Sequence, residues 1–237
     1  MRCEIYDDRL LAAKAAASRM ASEARAAIEA RGQFTLALSG GQTPWIMMRE
    51  LAKEEIPWSS VHVFQVDERV APAWHDDRNL MHLQETLLEH VPIPPHQVHA
   101  MAADASDLET AAASYARELR NIAGSPAILD LVLLGLGADG HTASLVPGDP
   151  VLEMNHTDVA LTGMYHGRYR MTLTYAAINR ARKILWLITG SEKAGMYRRL
   201  CERDMTIPAG RVCPKNAIAI ADRQVAGDPG IEIRQGA

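Results

Sequence analysis

The chain has 237 residues, 48% of them hydrophobic, with 25 basic and 29 acidic residues and a formal net charge of −4. That hydrophobic fraction suits a folded core and excludes a disordered chain, and with no long basic run there is no footprint for nucleic acid. The segment Met1–Asp8 is too polar for a signal peptide and no apolar stretch approaches the roughly 18 residues of a membrane span; the three cysteines, Cys3, Cys201 and Cys213, have neither a framework count nor zinc-knuckle spacing, so reduced thiols in a cytoplasmic protein are expected.

In chain order, Ile5-Tyr6 reads as part of a short first strand. Arg9 to about Ala30 is alanine-rich, charged and free of Gly and Pro, which predicts a long helix. Phe34–Leu38 is a buried strand that runs into Ser39-Gly40-Gly41-Gln42-Thr43-Pro44 and a helix from Trp45 to about Lys53. Val61–Val66 is the next strand, ending at Asp67-Glu68-Arg69. Asn79–His90 is helical, and Pro92, Pro94 and Pro95 break the chain. Ser106–Ile122 is a helix and Ile128–Leu134 a strand. Arg170–Thr174 is a strand or strand edge, Tyr175–Ala181 a short helix, Lys183–Thr189 a strand, Glu192–Arg203 a helix and Ala217–Ala221 a last strand. Strands alternate with helices and several are continuously apolar. That pattern predicts an α/β fold, a mostly parallel sheet covered on both faces. With no repeat and no Gly/Ser-rich linker, residues 1–237 read as one domain.

In an open parallel sheet, ligands bind beyond the carboxyl ends of the strands. Four motifs fall there: Ser39-Gly40-Gly41-Gln42-Thr43-Pro44, Asp67-Glu68-Arg69, Asp139-Gly140-His141, which closes the glycine-rich run from Gly135, and Gly190-Ser191-Glu192-Lys193. In the first, glycines let the backbone approach a ligand, and the N–H groups of a starting helix attract an anion. Ser39 and Thr43 offer hydroxyls, and Pro44 sits where a missing N–H costs nothing. A plain glycine turn with Thr43 as N-cap explains the same residues. Lys193 shifts the balance, because a cation at a helix start is unfavourable unless an anion is present. Arg170, and Arg168 with less weight, add charge from the preceding strand. Without a Gly-Lys-Ser/Thr ending the motif is not a nucleoside-triphosphate loop.

His141 is the candidate proton-transfer group, since an imidazole with an ordinary pKa of about 6.5 both takes and gives a proton near neutrality. Either Asp139 or Glu68 can orient its ring. Arg69 either neutralises Asp67 or Glu68, or binds substrate and supports developing negative charge. The remaining histidines show no metal spacing. With no Gly-x-Ser-x-Gly elbow and no partner for a cysteine nucleophile, attack by water under general-base control fits best.

Taken together these motifs resemble those of the 6-phosphogluconolactonases, within the larger group that includes the glucosamine-6-phosphate deaminases. The resemblance extends over nearly the whole chain. It adds Asp77-Arg78-Asn79, the continuation Thr142-Ala143-Ser144-Leu145-Val146-Pro147-Gly148, Arg170-Met171-Thr172-Leu173-Thr174 and Ile207-Pro208-Ala209-Gly210-Arg211-Val212. Three departures are visible: Ala138 stands where the family usually has proline, Val146 where it has phenylalanine, and Ala217-Ile218-Ala219-Ile220 where tryptophan is common. None removes a polar group from the site, though Ala138 leaves the loop less rigid.

The resemblance implies a Rossmann-like fold and hydrolysis of 6-phospho-D-glucono-1,5-lactone to 6-phosphogluconate in the oxidative pentose phosphate pathway. His141 would be the general base and then acid, with Asp139 beside it and Arg69 at the lactone end. Ser39, Gly40, Gly41, Thr43, Asp67, Arg170 and Lys193 would hold the phosphorylated sugar. No cofactor or metal is required by this scheme. The expected partner is a phosphorylated sugar lactone, with no nucleic acid or membrane, and the chain would be a monomer or homodimer. Two alternatives share the scaffold. A glucosamine-6-phosphate deaminase or isomerase usually continues its histidine loop Ile-Ala-Phe-Asn-Glu-Pro and has tyrosine where Arg69 stands here. A non-catalytic sugar-phosphate-binding protein would have little use for an intact Asp139-Gly140-His141.

Overall fold

A computed structural model describes residues 1–227. Its frame is a seven-stranded sheet, parallel at every pairing, in the order β1-β10-β9-β6-β2-β3-β5. The strands are β1 (Arg2–Tyr6), β2 (Phe34–Leu38), β3 (Val61–Gln65), β5 (Val98–His99), β6 (Leu131–Leu134), β9 (Lys183–Ile188) and β10 (Ala217–Asp222). The central strands carry apolar side chains on both faces. Leu131 and Leu133 enter one core with Leu36, Leu38, Leu185 and Leu187, while Val132 and Leu134 enter the other with Ala37, Phe64 and Trp186. Alternate residues of a strand point to opposite faces, so a continuously apolar strand must be covered twice.

The first face is covered by α1 (Arg9–Arg31) and α2 (Gln42–Leu51). Eight residues of α1, seven of them alanines, are buried; small side chains let the helix lie close on the sheet. Asp8 caps it through Leu11 N at 2.8 Å, and Gly32, at φ 79°, ends it with an N–H to Ile28 O. The other face is covered by α4 (Leu108–Ala123), α5 (Tyr175–Arg180) and α6 (Ala194–Cys201). Among the described residues two short helices complete the set, α3 (Asn79–Thr86) and α7 (Arg223–Ala226).

The main strands and helices fall where the sequence predicts them, within a few residues at their ends. Asp67-Glu68-Arg69 differs. It is not a loop beyond β3 but a strand, β4 (Asp67–Arg69), in a second, antiparallel sheet with β8 (Arg170–Leu173) and β7 (Val159–Leu161), order β4-β8-β7. The register sets Arg69 directly opposite Arg170. The helix predicted for Glu192–Arg203 begins instead as a 3-10 turn, Ser191–Lys193, and becomes α-helical at Ala194.

Candidate active site

The carboxyl ends of β9, β6, β2 and β3, four consecutive strands of the sheet, open into one cavity of about 410 Å³. Its walls include all four sequence motifs: Ser39, Gly40, Gly41 and Thr43; Asp67 and Arg69; Gly137 and His141; Lys193; with Arg170 from the second sheet. Every predicted site residue except Asp139 lines it, and Asp139 is held against His141. Arg9, Gln42, Asn79 and Thr189 also line it; Gln42 and Asn79 lie in motifs read from the sequence, but none of the four was given a site role there.

The floor is the turn from β2 into α2. Gly41 is the N-cap at φ 124° and offers no capping side chain, so the helix start is uncapped from within and faces the cavity with its positive end. Thr43 is not the N-cap; its hydroxyl shares a 2.6 Å hydrogen bond with that of Thr189. Ser39 donates its hydroxyl proton to Leu133 O at 2.8 Å, which ties the turn to β6. Gly40 passes Asn79 so closely that a Cβ would lie 2.0 Å from Oδ1. Lys193 enters from beyond the carboxyl end of β9, half-buried; loss of solvent, with the charge of Arg9 nearby, draws its ammonium below the ordinary lysine range.

Arg69 and Arg170 form the second wall. Like charges directly opposite in a ladder are destabilising, and here no carboxylate among the described residues forms an ion pair with either. Arg69 donates through Nη1 to Asp77 O at 2.8 Å, Arg170 Nη1 lies 3.5 Å from Ser144 Oγ, and the Nε of each is buried without a partner. Burial draws the Arg170 guanidinium below its usual range, with Asp67 opposing and Arg69 reinforcing. Arg69 therefore does not serve to neutralise Asp67 or Glu68. Asp67 accepts from Ser144 Oγ at 2.6 Å. Glu68 is fully buried and accepts from Arg69 N, Asn79 N, Leu80 N and Gln65 Nε2, with Arg78 Nε at 3.2 Å. It caps α3 and does not orient His141. Arg168 is also outside the cavity wall, bound to Asp77 at 2.9 Å.

The corner that holds His141 is the loop after β6. Thr142 Oγ1 donates to Gly135 O, Gly137 N to His141 O and Gly140 N to Gly137 O, folding the loop back so that His141 faces Gly137. A Cβ at Gly137 would sit 2.1 Å from His141 Nδ1, so only glycine fits. Ala143, at φ 51°, takes the left-handed conformation that lets the chain turn away. His141 Nδ1 is 2.6 Å from Asp139 Oδ1, and the same carboxylate oxygen accepts from His141 N at 3.1 Å. Burial pushes the Asp139 carboxyl up, but the backbone and imidazole hydrogen bonds of His141 outweigh it and hold the group below the usual range. An ionised Asp139 takes the Nδ1–H and leaves Nε2, which bonds to nothing among the described residues, as the basic nitrogen.

Tyr165 completes the corner. Its hydroxyl donates to Asp139 Oδ2 at 2.9 Å, and Arg170 lies 5.0 Å over its ring. Burial and the neighbouring carboxylate push the phenol up to about 12, so it stays a donor. Sequence reasoning missed it. The available signal is the turn His166-Gly167, both at positive φ, between the bridged Tyr165 and Arg168.

The family described as glucosamine-6-phosphate isomerases/6-phosphogluconolactonase matches residues 7–221. The chain belongs to this family. Within it, the 6-phosphogluconolactonase of Mycobacterium tuberculosis is 38% identical, covering 94% of this chain and 96% of that protein. The 6-phosphogluconolactonase of Synechocystis is 42% identical over 70% of this chain and 71% of its own length. Among solved structures, the 6-phosphogluconolactonase of Thermotoga maritima has a TM-score of 0.83 at 28% identity, covering 93% of this chain and 98% of that one. A monomeric glucosamine-6-phosphate deaminase has a TM-score of 0.84 at 19% identity, covering 95% and 99%. That likeness is one of fold, so the family's scaffold alone does not separate the two chemistries.

Proposed function

We propose that the chain is a 6-phosphogluconolactonase, hydrolysing 6-phospho-D-glucono-1,5-lactone to 6-phosphogluconate in the oxidative pentose phosphate pathway, in the cytoplasm. The observation that carries the mechanism is the Asp139–His141 pair, 2.6 Å apart, at the mouth of a cavity whose cations Arg69, Arg170 and Lys193 form no close ion pair among the described residues, though the carboxylates of Asp67 and Glu192 share the wall.

The start of α2, the Gly40-Gly41 turn and Lys193 hold the phosphate, with Arg170 reaching from the facing wall. A carboxylate repels phosphate, so Asp67 takes a sugar hydroxyl instead. Arg69 positions the lactone end. His141 Nε2 removes a proton from water as its oxygen attacks the lactone carbonyl; the imidazolium is stabilised by Asp139. Collapse of the tetrahedral intermediate breaks the carbon–ring oxygen bond, and the imidazolium returns its proton to that oxygen. Water is consumed and the histidine is regenerated. Where the deaminase loop carries its glutamate, five residues after the histidine and before proline, this chain has the buried Val146, and the hydroxyls of Thr142 and Ser144 are engaged with Gly135 O and Asp67. Ring opening of an amino sugar lacks its acid here, which favours the lactonase over the deaminase.

His141→Ala tests the assignment. A positioned general base contributes on the order of 10²- to 10⁴-fold, so turnover should fall by that order while the variant still binds 6-phosphogluconate. Hydrolysis at the wild-type rate, after subtraction of the spontaneous reaction, would remove His141 from the role.

A further inference from the structure

Two of the three cysteines meet on the side of the molecule formed by the sheet edge and α6. Cys3 lies in β1, the edge strand. Cys201 is the last residue of α6, 198 positions later, and the two Sγ atoms are 3.8 Å apart. Both thiols are free and partly exposed, so a small oxidant can reach them. Both pack on the rim of the same core cluster, which holds β1 and the end of α6 in fixed relation. Tyr197, one turn earlier on α6, lies beside both sulfurs. Hydrogen bonding from Cys201 draws Cys3 well below the ordinary thiol range, against the effect of burial. The result is a nucleophilic sulfur in contact with a second thiol, the two components of thiol–disulfide chemistry. Lactone hydrolysis is not redox chemistry and uses neither of them. The third cysteine, Cys213, is exposed and lies on another segment.

We propose that Cys3 and Cys201 form a peroxide-sensitive dithiol that closes to an intramolecular disulfide and fastens the first strand to α6. The Cys3 thiolate attacks one oxygen of a hydroperoxide such as hydrogen peroxide. The O–O bond breaks, Cys3 becomes a sulfenic acid, and the departing hydroxide takes a proton to leave as water. Cys201 then attacks the Cys3 sulfur; the S–O bond breaks, the S–S bond forms, and a second water leaves with the Cys201 proton. Two thiols are oxidised by two electrons in all, and one peroxide is reduced to two waters.

The bridge closes nearly the whole chain into a loop, so its main effect falls on the unfolded state. It also ties the sheet edge to the helix that begins directly after Lys193, on the phosphate side of the cavity.

The test treats the full chain with a small excess of hydrogen peroxide, counts thiols after unfolding, and maps non-reduced tryptic peptides by mass spectrometry. Two of the three thiols should disappear and reappear with dithiothreitol. Peptides Cys3–Arg9 and Leu200–Arg203 should be found joined. The melting temperature should rise by about 5 °C or more. Cys213→Ser should keep all of this, and Cys201→Ser should lose the joined peptide and the rise in Tm. Peroxide treatment that leaves all three thiols, or consumes them as sulfinic acids or Cys213-linked dimers without the Cys3–Cys201 peptide, overturns the proposal.

Discussion

At the residue scale, the proposed chemistry turns on which nitrogen of His141 is left free, and Asp139 and Tyr165 together bear on that. Tyr165→Phe removes one charge-assisted hydrogen bond to Asp139 Oδ2. Such a bond is worth about 1.5 kcal/mol or more, so kcat should fall about tenfold with KM nearly constant in steady-state assays of the lactone. An unchanged kcat would mean that Asp139 is positioned without the phenol. Lys193→Ala should do the reverse, raising KM with kcat little changed, because a phosphate remote from the reacting carbonyl is bound alike in ground and transition states. His141 and Asp139 were legible in the sequence because polar residues packed between glycines at the end of an apolar strand have no use in a core. Tyr165 was not, because it lies 24 residues further on and meets Asp139 only through a hairpin whose turn pairs histidine with glycine.

At the element scale, the site depends on a strand three residues long. β4 puts Arg69 beside Arg170, and Glu68 between them and α3 anchors it through three backbone N–H groups and the buried Arg78. Glu68→Gln sets an amide NH₂ among those donors and leaves Arg78, 4% exposed, with only the more distant Asp104, at 3.7 Å, as counter-charge. Breaking a buried pair costs about 3 kcal/mol, to be read as a lower urea midpoint at unchanged m-value. No loss of stability would show that the carboxylate is not needed as a cap. β4, β5 and β7, of three, two and three residues, were illegible because so short a segment shows no alternation. β4 also consists of charged residues only, and reads as a loop until its partner β8 is known.

At the scale of the whole molecule, the parallel sheet was legible from its apolar runs, since a strand buried on both faces has nowhere else to go. The strand order was not, because it follows from crossovers between distant segments. That order gathers β9, β6, β2 and β3 side by side and turns four separated motifs into one cavity. Far from the cavity, the sheet's other edge contains a chain of contacts, Glu118–His99–His62, at 2.6 and 3.0 Å. Burial, then the neighbouring His99 and His96, draw His62 below the usual histidine range. The unfolded chain thus takes up a proton at His62 more readily than the folded one. This contribution to stability is present above the unfolded value of about 6.5 and is lost as pH falls through the lower folded value. His62→Asn should flatten the fall in Tm between about pH 7 and pH 5; an unchanged slope would place that pH dependence elsewhere.

The central claim is that the cavity holds a phosphorylated lactone and that His141 directs water to its carbonyl. The most direct measurement is acid release from freshly generated 6-phospho-D-glucono-1,5-lactone, corrected for spontaneous hydrolysis, run beside ammonia release from glucosamine 6-phosphate. The account predicts hydrolysis proportional to protein concentration, lost in His141→Ala, and no ammonia. Acid release no faster than the spontaneous reaction, or ammonia formed from the amino sugar, would contradict it.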